Sequence, residues 1–286
     1  MDNPISLNPQ DFYASHGQIS DPAPYEKHLD DLPQALPELV KAIQGLILHL
    51  HWAERYGITL YRIRKDEANL RTTRNRIAAI LNLNPAPLSQ ERILNERTVG
   101  TCRDFALFLT TVLRHRKIPA RCRAGFGTYF TKNRFEDHWV CEYWQTEEKR
   151  WVMVDPQLDE LQIKALKVQF DPLDMPRSKF VTGPQAWDLI RTNQADPNRF
   201  GIFNLKGIDF VKGNLIRDFL ALNKVEILPW DNFMLINKRF RSMTPKEKDL
   251  MDRLAKISTG EDQDFLMVRA AFTANQSQLL PNYFIP

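Results

Sequence analysis

Three residues stand out for what their types and spacing could do together: Cys102, His138 and Asp155. Cysteine, histidine and aspartate in that order supply a thiol nucleophile, a base to take its proton, and a carboxylate to fix the base's tautomer and support the imidazolium. Cys102 opens the run Cys102-Arg-Asp-Phe-Ala-Leu-Phe-Leu-Thr-Thr-Val-Leu113, whose apolar residues Phe105, Phe108, Leu109, Val112 and Leu113 follow helical spacing. The thiol is therefore expected at the first turn of a buried helix. There the unpaired N–H groups favour a thiolate and can later hold an oxyanion. Gly100 gives the backbone room for a close approach before that turn. Arg114 to Lys117 crowd the helix's last turn, and Pro119 follows, which reads as a helix stop.

Stepping outward from the thiol, Glu136–Trp144 and Lys149–Asp155 are rich in aromatic and β-branched residues and flank the polar Gln145–Glu148. They are expected to pair as an antiparallel hairpin. If Trp144 faces Lys149, then His138 faces Asp155 and the carboxylate reaches the imidazole. Taken alone, His138 reads as a hydrogen-bonded strand histidine and Asp155 as a turn acid before Pro156; it is the combination with Cys102 that points to catalysis. Asp137, Asp159 and Glu160 are the nearest substitutes for the carboxylate, with Asp137 expected to face away from His138. Cys122 and Cys141 lie inside strand-like segments and read as small buried hydrophobes.

These segments resemble the transglutaminase-like superfamily, the papain-related group of cysteine enzymes. The likeness runs from about Arg97 to Pro156. It is carried by Gly100-Thr-Cys102-Arg-Asp104-Phe-Ala, by Ile118-Pro-Ala-Arg121 and by Trp151-Val-Met-Val-Asp155-Pro. The chain departs from that pattern with Lys117, where the family usually has glycine, and with Trp139 directly after the histidine. The resemblance implies Cys102 as nucleophile, His138 as base and Asp155 as its orienter, acting on an amide through an acyl-enzyme, with no cofactor and no metal.

The expected fold class is α+β: a papain- or transglutaminase-like core in which an antiparallel sheet packs on the nucleophile helix, with extra N- and C-terminal helices. Residues 1–33 read as an irregular arm, 34–175 as the catalytic core, and 176–286 as a helical extension packed on the core or part of the same domain. Leu36 to Leu50 carries an amphipathic helical pattern that Gly57 can end, and Glu67–Leu81 a second helix. Farther on, Thr182-Gly-Pro-Gln185 and Thr244-Pro-Lys-Glu247 read as capped helix starts, and Phe210–Leu222 as an apolar helix.

At 286 residues the chain can bury a full core. Three cysteines without a CxxC pair argue against a disulfide framework and a structural zinc site, and favour a reducing compartment. A net charge of +4 and a pI near 8.9 are mild, and the basic clusters are broken by acids and apolar residues, so no nucleic-acid partner is expected. No apolar run reaches membrane-spanning length and the start has no signal-peptide pattern, so the expectation is a cytoplasmic protein without a membrane partner. His49 and His51, two apart in the helical pattern, are expected on opposite sides of a helix and so not as a metal pair. Trp187, Arg191, Arg217, Asp218, Asn223 and Trp230 are the candidates for a substrate wall, against a reading as ordinary packing.

Together these readings point to a cysteine-dependent hydrolase (amidase, deamidase or peptidase) or an acyltransferase, with a peptide, protein or small amide as substrate. The alternative is a protein-binding module that keeps the fold without catalysis.

Overall fold

The structure is a computed structural model that describes residues 8–259, 264–281 and 284. In chain order its main elements are α1 (Leu36–Gln44), β1 (Ile47–His49), α2 (Thr73–Leu83), β2 (Thr98–Gly100), α3 (Cys102–His115), β3 (Ala120–Gly127), β4 (Phe135–Gln145) and β5 (Arg150–Val154). There follow α4 (Glu160–Leu166), β6 (Phe180–Thr182), α5 (Gly183–Arg191), β7 (Phe200–Ile202), β8 (Leu205–Lys206), α6 (Ile208–Leu222), α7 (Pro245–Thr259) and α8 (Phe265–Leu279). The fold class is α+β. Among the described residues, no helix is long and apolar enough to cross a membrane.

The chain divides into two compact units. One, residues 10–122 and 140–175, holds Cys102 and Asp155; the other, comprising residues 8–9, 123–139 and the described residues from 176 onward, holds His138. They are called here the cysteine unit and the histidine unit. Strands β3 and β4 run through both, β3 crossing after Cys122 and β4 after Trp139.

The cysteine unit is built around α3. Its predicted stripe, Phe105, Phe108, Leu109, Val112 and Leu113, packs with Leu39, Val40 and Ile43 of α1, Ile77 and Ile80 of α2, and Cys141, Val152 and Val154 of the hairpin. The helix is buried on every side from Cys102 to Arg114, so its polar side chains need internal partners. The Thr110 hydroxyl lies 3.3 Å from Cys122 Sγ and 3.2 Å from Cys141 Sγ, and Thr111 pairs with Thr73 at 2.8 Å. Arg114, expected merely to suit the helix end, is fully buried; its Nε donates to the Ala120 carbonyl at 2.9 Å and its Nη1 to Ser20 Oγ at 2.8 Å. Lys117, where the related pattern has glycine, takes φ 61°, the left-handed conformation that glycine adopts without steric cost.

Three local expectations are corrected. The helix predicted to reach Leu50 stops at Gln44, and Ile47–His49 instead pairs in parallel with Thr98–Gly100. A three-residue apolar run fits either period, and the backbone partners offered by β2 decide it. His49 and His51 are consequently neighbours, their rings 5.8 Å apart and the His51 N–H donating to His49 Nδ1 at 3.2 Å. The segment expected as an arm folds in from residue 10: Tyr13, Ile19, Leu29 and Leu32 are buried, and Tyr13 packs edge-on against Trp151 at 5.5 Å.

The β4–β5 hairpin forms with a different register. Cys141 faces Val154, Glu142 faces Met153, Trp144 faces Trp151 and Gln145 faces Arg150. The turn is thus 146–149 rather than 145–148, because Lys149, at φ 51°, belongs to the turn. Extending this ladder puts Asp155 level with Val140, two residues from the direct His138 partnership expected. On the hairpin, Glu142 forms a buried ion pair with Arg121 at 2.7 Å, and the guanidinium lies 3.9 Å from the centre of the Trp151 ring.

In the histidine unit, Gly125–Gly127 of β3 pairs antiparallel with β6, Phe135 and Glu136 of β4 pair in parallel with β7, and β7 turns back into β8. Helix α6 is buried along most of its length and is fastened to β3 by Asp218, which accepts from Arg123 Nε at 3.0 Å, Arg123 Nη2 at 2.8 Å and the Ala124 N–H at 2.8 Å. The two predicted caps form: Thr182 and Gln185 exchange hydrogen bonds of 3.3 and 2.9 Å at α5, and Thr244 and Glu247 bonds of 3.3 and 2.7 Å at α7.

Candidate active site

Cys102 is the first residue of α3, 9 % exposed, with Thr101 in extended conformation before it. The loop that delivers it is pinned by charged groups of the same unit. Asp104 reaches back so that its Oδ2 accepts the Thr101 N–H at 2.7 Å, while its Oδ1 holds Arg76 and Arg103, each at 3.0 Å. Arg76 Nη1 also donates to the Val99 carbonyl at 2.6 Å, and the Val99 N–H donates to Glu67 Oε2 at 2.7 Å. Gly100 makes this geometry feasible: a Cβ there would sit 3.0 Å from Asp104 Cβ and from Ile47 Cγ2. The Thr101-x-x-Asp104 spacing was a readable capping signal for this contact; Arg76 and Glu67, distant in sequence, gave none.

Asp155 follows the last residue of β5 and is fully buried. Its own N–H donates to the Pro172 carbonyl at 2.8 Å, and its Oδ1 accepts the Gln157 N–H at 3.2 Å. Behind it runs a polar chain: Gln157 Nε2 donates to Gln162 Oε1 at 2.8 Å, Gln162 Nε2 to the Tyr56 oxygen at 3.1 Å, and the Tyr56 hydroxyl to Asp159 Oδ2 at 2.5 Å. Burial, then the bond to Asp159, push the Tyr56 phenol above its ordinary range. Asp159 also caps α4, accepting the Gln162 N–H at 3.0 Å, so this substitute carboxylate is engaged in structure.

His138 lies on β4 in the histidine unit, buried, two residues before the strand enters the cysteine unit at Val140. Its imidazole packs against Phe130, centroids 4.8 Å apart, and Tyr129, 6.0 Å apart, both edge-to-face. The neighbouring Asp137 accepts from Asn214 Nδ2 at 2.7 Å. Burial holds its carboxyl above the usual range, opposed chiefly by Arg217.

The other two thiols are unlike Cys102 in position. Both are fully buried in strands, and burial pushes the Cys141 thiol up to about 12, so it stays protonated at neutral pH. All three cysteines are free of disulfides. Among the described residues no group of three or more His, Cys, Asp or Glu side chains could hold a metal ion.

Most residues considered for a substrate wall are engaged in packing. Trp187 is buried, its Nε1 donating to Asp252 at 2.8 Å, and Arg191 pairs with the same carboxylate at 2.9 Å. Asp218 is bound to Arg123, Arg217 is buried beside Asn214, and Asn223 accepts from Arg269 at 2.6 Å. Trp230 alone among the six is a large exposed apolar side chain, at 41 %.

Comparison with known proteins places this geometry in context. Residues 68–156 match the transglutaminase-like superfamily, a segment that contains α2, the Cys102 loop, α3, the His138 strand and Asp155. No curated protein matches the sequence. A crystal structure of a proposed cysteine protease from Cytophaga hutchinsonii is similar at 14 % identity and a TM-score of 0.36, over 62 % of this chain and 47 % of that one. The chain thus spans about half the length of that relative.

Proposed function

We propose that the protein, whose residues 68–156 match the transglutaminase-like superfamily, is a cysteine enzyme acting on amides through Cys102, His138 and Asp155. The observation that carries this reading is the placement of Cys102 at the first residue of a buried helix, on a loop fixed by Asp104, Arg76 and Glu67. A thiol so placed lies at the positive end of the α3 dipole, which favours the thiolate.

In the proposed reaction His138 takes the Cys102 proton, and the sulfur attacks the amide carbonyl to form a C–S bond. The positive end of the α3 dipole stabilises the developing oxyanion. The C–N bond breaks as the imidazolium returns the proton to the leaving nitrogen, giving a thioester. Water, deprotonated by the same imidazole, cleaves the thioester to a carboxylic acid and restores the thiol; an amine in its place would give acyl transfer. Asp155 orients the imidazole throughout. Hydrolysis is the preferred outcome, since it needs one bound substrate, which would be a peptide, a protein or a small amide. Three cysteines without a disulfide suit a cytoplasmic location.

The test is the pH dependence of iodoacetamide alkylation, mapped by mass spectrometry to each cysteine, in wild type and His138→Ala. Selective labelling of Cys102 below about pH 7, lost in the variant, is the expected result. Labelling that follows an ordinary thiol of pKa about 8.5 and ignores His138 would overturn the reading and favour a protein-binding module.

A further inference from the structure

From the packing around His138 inside the histidine unit, we infer that Phe130, backed by Tyr129, is a positioning residue that holds and shields the His138 imidazole. The inference rests on reading His138 as the base. The rings belong to the connection between β3 and β4, where a polar, solvated turn would suffice to join two strands. Instead two consecutive aromatics fold back over the strand they have just left. Phe130 and Tyr129 pack on each other at 4.5 Å and both present edge-to-face contacts to the imidazole, at 4.8 and 6.0 Å. Edge-to-face geometry fixes ring orientation as well as burying area.

The backbone is built to allow this. Gly127, the last residue of β3, lies directly under the rings: a Cβ there would stand 2.7 Å from Phe130 Cε2 and 3.1 Å from Tyr129 Cε1. A side chain at this position would require the Phe130 ring to shift. The connection is also tied down at both ends within the unit. The N–H and hydroxyl of Thr128 both donate to the Lys179 carbonyl, at 3.0 and 3.3 Å. At the other end, the Thr131 hydroxyl bonds Glu136, and Arg199 Nε donates to the Asn133 carbonyl at 3.1 Å. The rings are thus held against the imidazole by the loop, and not by apolar contact alone.

An imidazole covered in this way exchanges protons with the reacting groups rather than with bulk water, and keeps one ring orientation through the cycle. Both partly exposed rings can be changed without opening the core. The experiment labels His138 with diethyl pyrocarbonate, with peptide mapping of all histidines, and records the His138 ring proton signals by NMR. It compares wild type, Phe130→Ala, Phe130→Tyr and Gly127→Ala.

In Phe130→Ala, His138 should be carbethoxylated several-fold faster than in wild type while the other histidines are unchanged, and its ring signals should lose their ring-current displacement. Phe130→Tyr, which keeps the ring, should restore both. Gly127→Ala, which keeps the Phe130 side chain but displaces its ring, should reproduce the faster labelling. Equal His138 labelling in wild type and Phe130→Ala, with unmoved ring signals, would overturn the inference. These readouts report on His138 itself, so they decide the inference whatever alkylation of Cys102 shows; indifference of Cys102 to His138 would remove the catalytic reading and leave the shielding result standing.

Discussion

Asp104 in the cysteine unit and Asp218 in the histidine unit are both buried acids held by arginines, yet they are used differently. Asp104 sits at the third residue of α3, and its two oxygens gather Arg76, Arg103 and the Thr101 N–H around the residue that precedes Cys102. Asp218 sits well inside α6, where it grips Arg123 by two hydrogen bonds and the Ala124 N–H by a third. The first arrangement fixes the helix end at which Cys102 stands. The second clamps a helix side to a strand. Similar chemistry therefore serves positioning in one unit and cohesion in the other.

The largest effect should come from breaking the clamp. Asp218→Ala leaves a buried guanidinium without its carboxylate, and urea unfolding should show a loss of about 3–5 kcal/mol, with Cys102 alkylation unchanged in the folded protein. An alkylation rate that moves together with stability would erase the distinction between the two acids.

Asp104→Asn should be milder, at roughly 1.5–3 kcal/mol, because the amide keeps one acceptor for the groups it holds. Its signature is electrostatic: Arg76 and Arg103 lose their neutralising partner beside the first turn of α3, which favours the thiolate. The Cys102 alkylation profile should move to lower pH, and a move to higher pH would contradict this electrostatic effect.

A smaller effect separates burial from ion pairing in the cysteine unit. Burial, and next the charge of Arg114, pull His16 down to about 4, against 6.5 ordinarily. A group depressed on folding contributes stability that is complete above its unfolded pKa and is lost as pH falls through the folded one. Stability should therefore decline between about pH 6.5 and 4, and His16→Gln should flatten that decline in thermal melts across the range. An unchanged slope would assign the acid sensitivity elsewhere.

The smallest effect belongs to Arg150, which pairs with Asp174 at 2.6 Å and also with Glu148, all three side chains being 40 % exposed or more. Arg150→Ala should cost no more than about 1 kcal/mol, since solvent screens exposed pairs. A cost comparable to that of Asp218→Ala would remove the distinction between buried and exposed clusters on which the comparison rests.

Local patterns carried much of the secondary structure. The start of α3 at Cys102, the stripe from Phe105 to Leu113, and the caps at Thr182 and Thr244 were all legible, because each depends on residues within about one helical turn. The same locality misled at Ile47–His49, where the apolar run continued the phase of α1 although the chain turns after Gly45 to pair with β2. It misled again at the hairpin, where the conformation of one turn residue, Lys149, sets the register by two. Cys122 and Cys141 were read correctly as packed thiols, while most of the residues considered for a substrate wall proved to be engaged in hydrogen bonds and ion pairs that their spacing did not reveal.

The sequence by itself determined that a cysteine opens a buried amphipathic helix, that a histidine and an aspartate follow on neighbouring strand-forming segments, and that the helices after Thr182 and Thr244 begin with caps. These properties follow from periodicity and short-range hydrogen bonding. Tertiary structure alone decided that Arg76 and Glu67 hold the Cys102 loop, that Gly127 gives Phe130 its place against His138, and that α6 is clamped through Asp218. Arg76, Glu67 and Asp218 are separated from their partners by tens of residues along the chain, and only the burial that excludes water makes those hydrogen bonds obligatory; Gly127 and Phe130 are near His138 in sequence, but their contact with it depends on how the connection folds back.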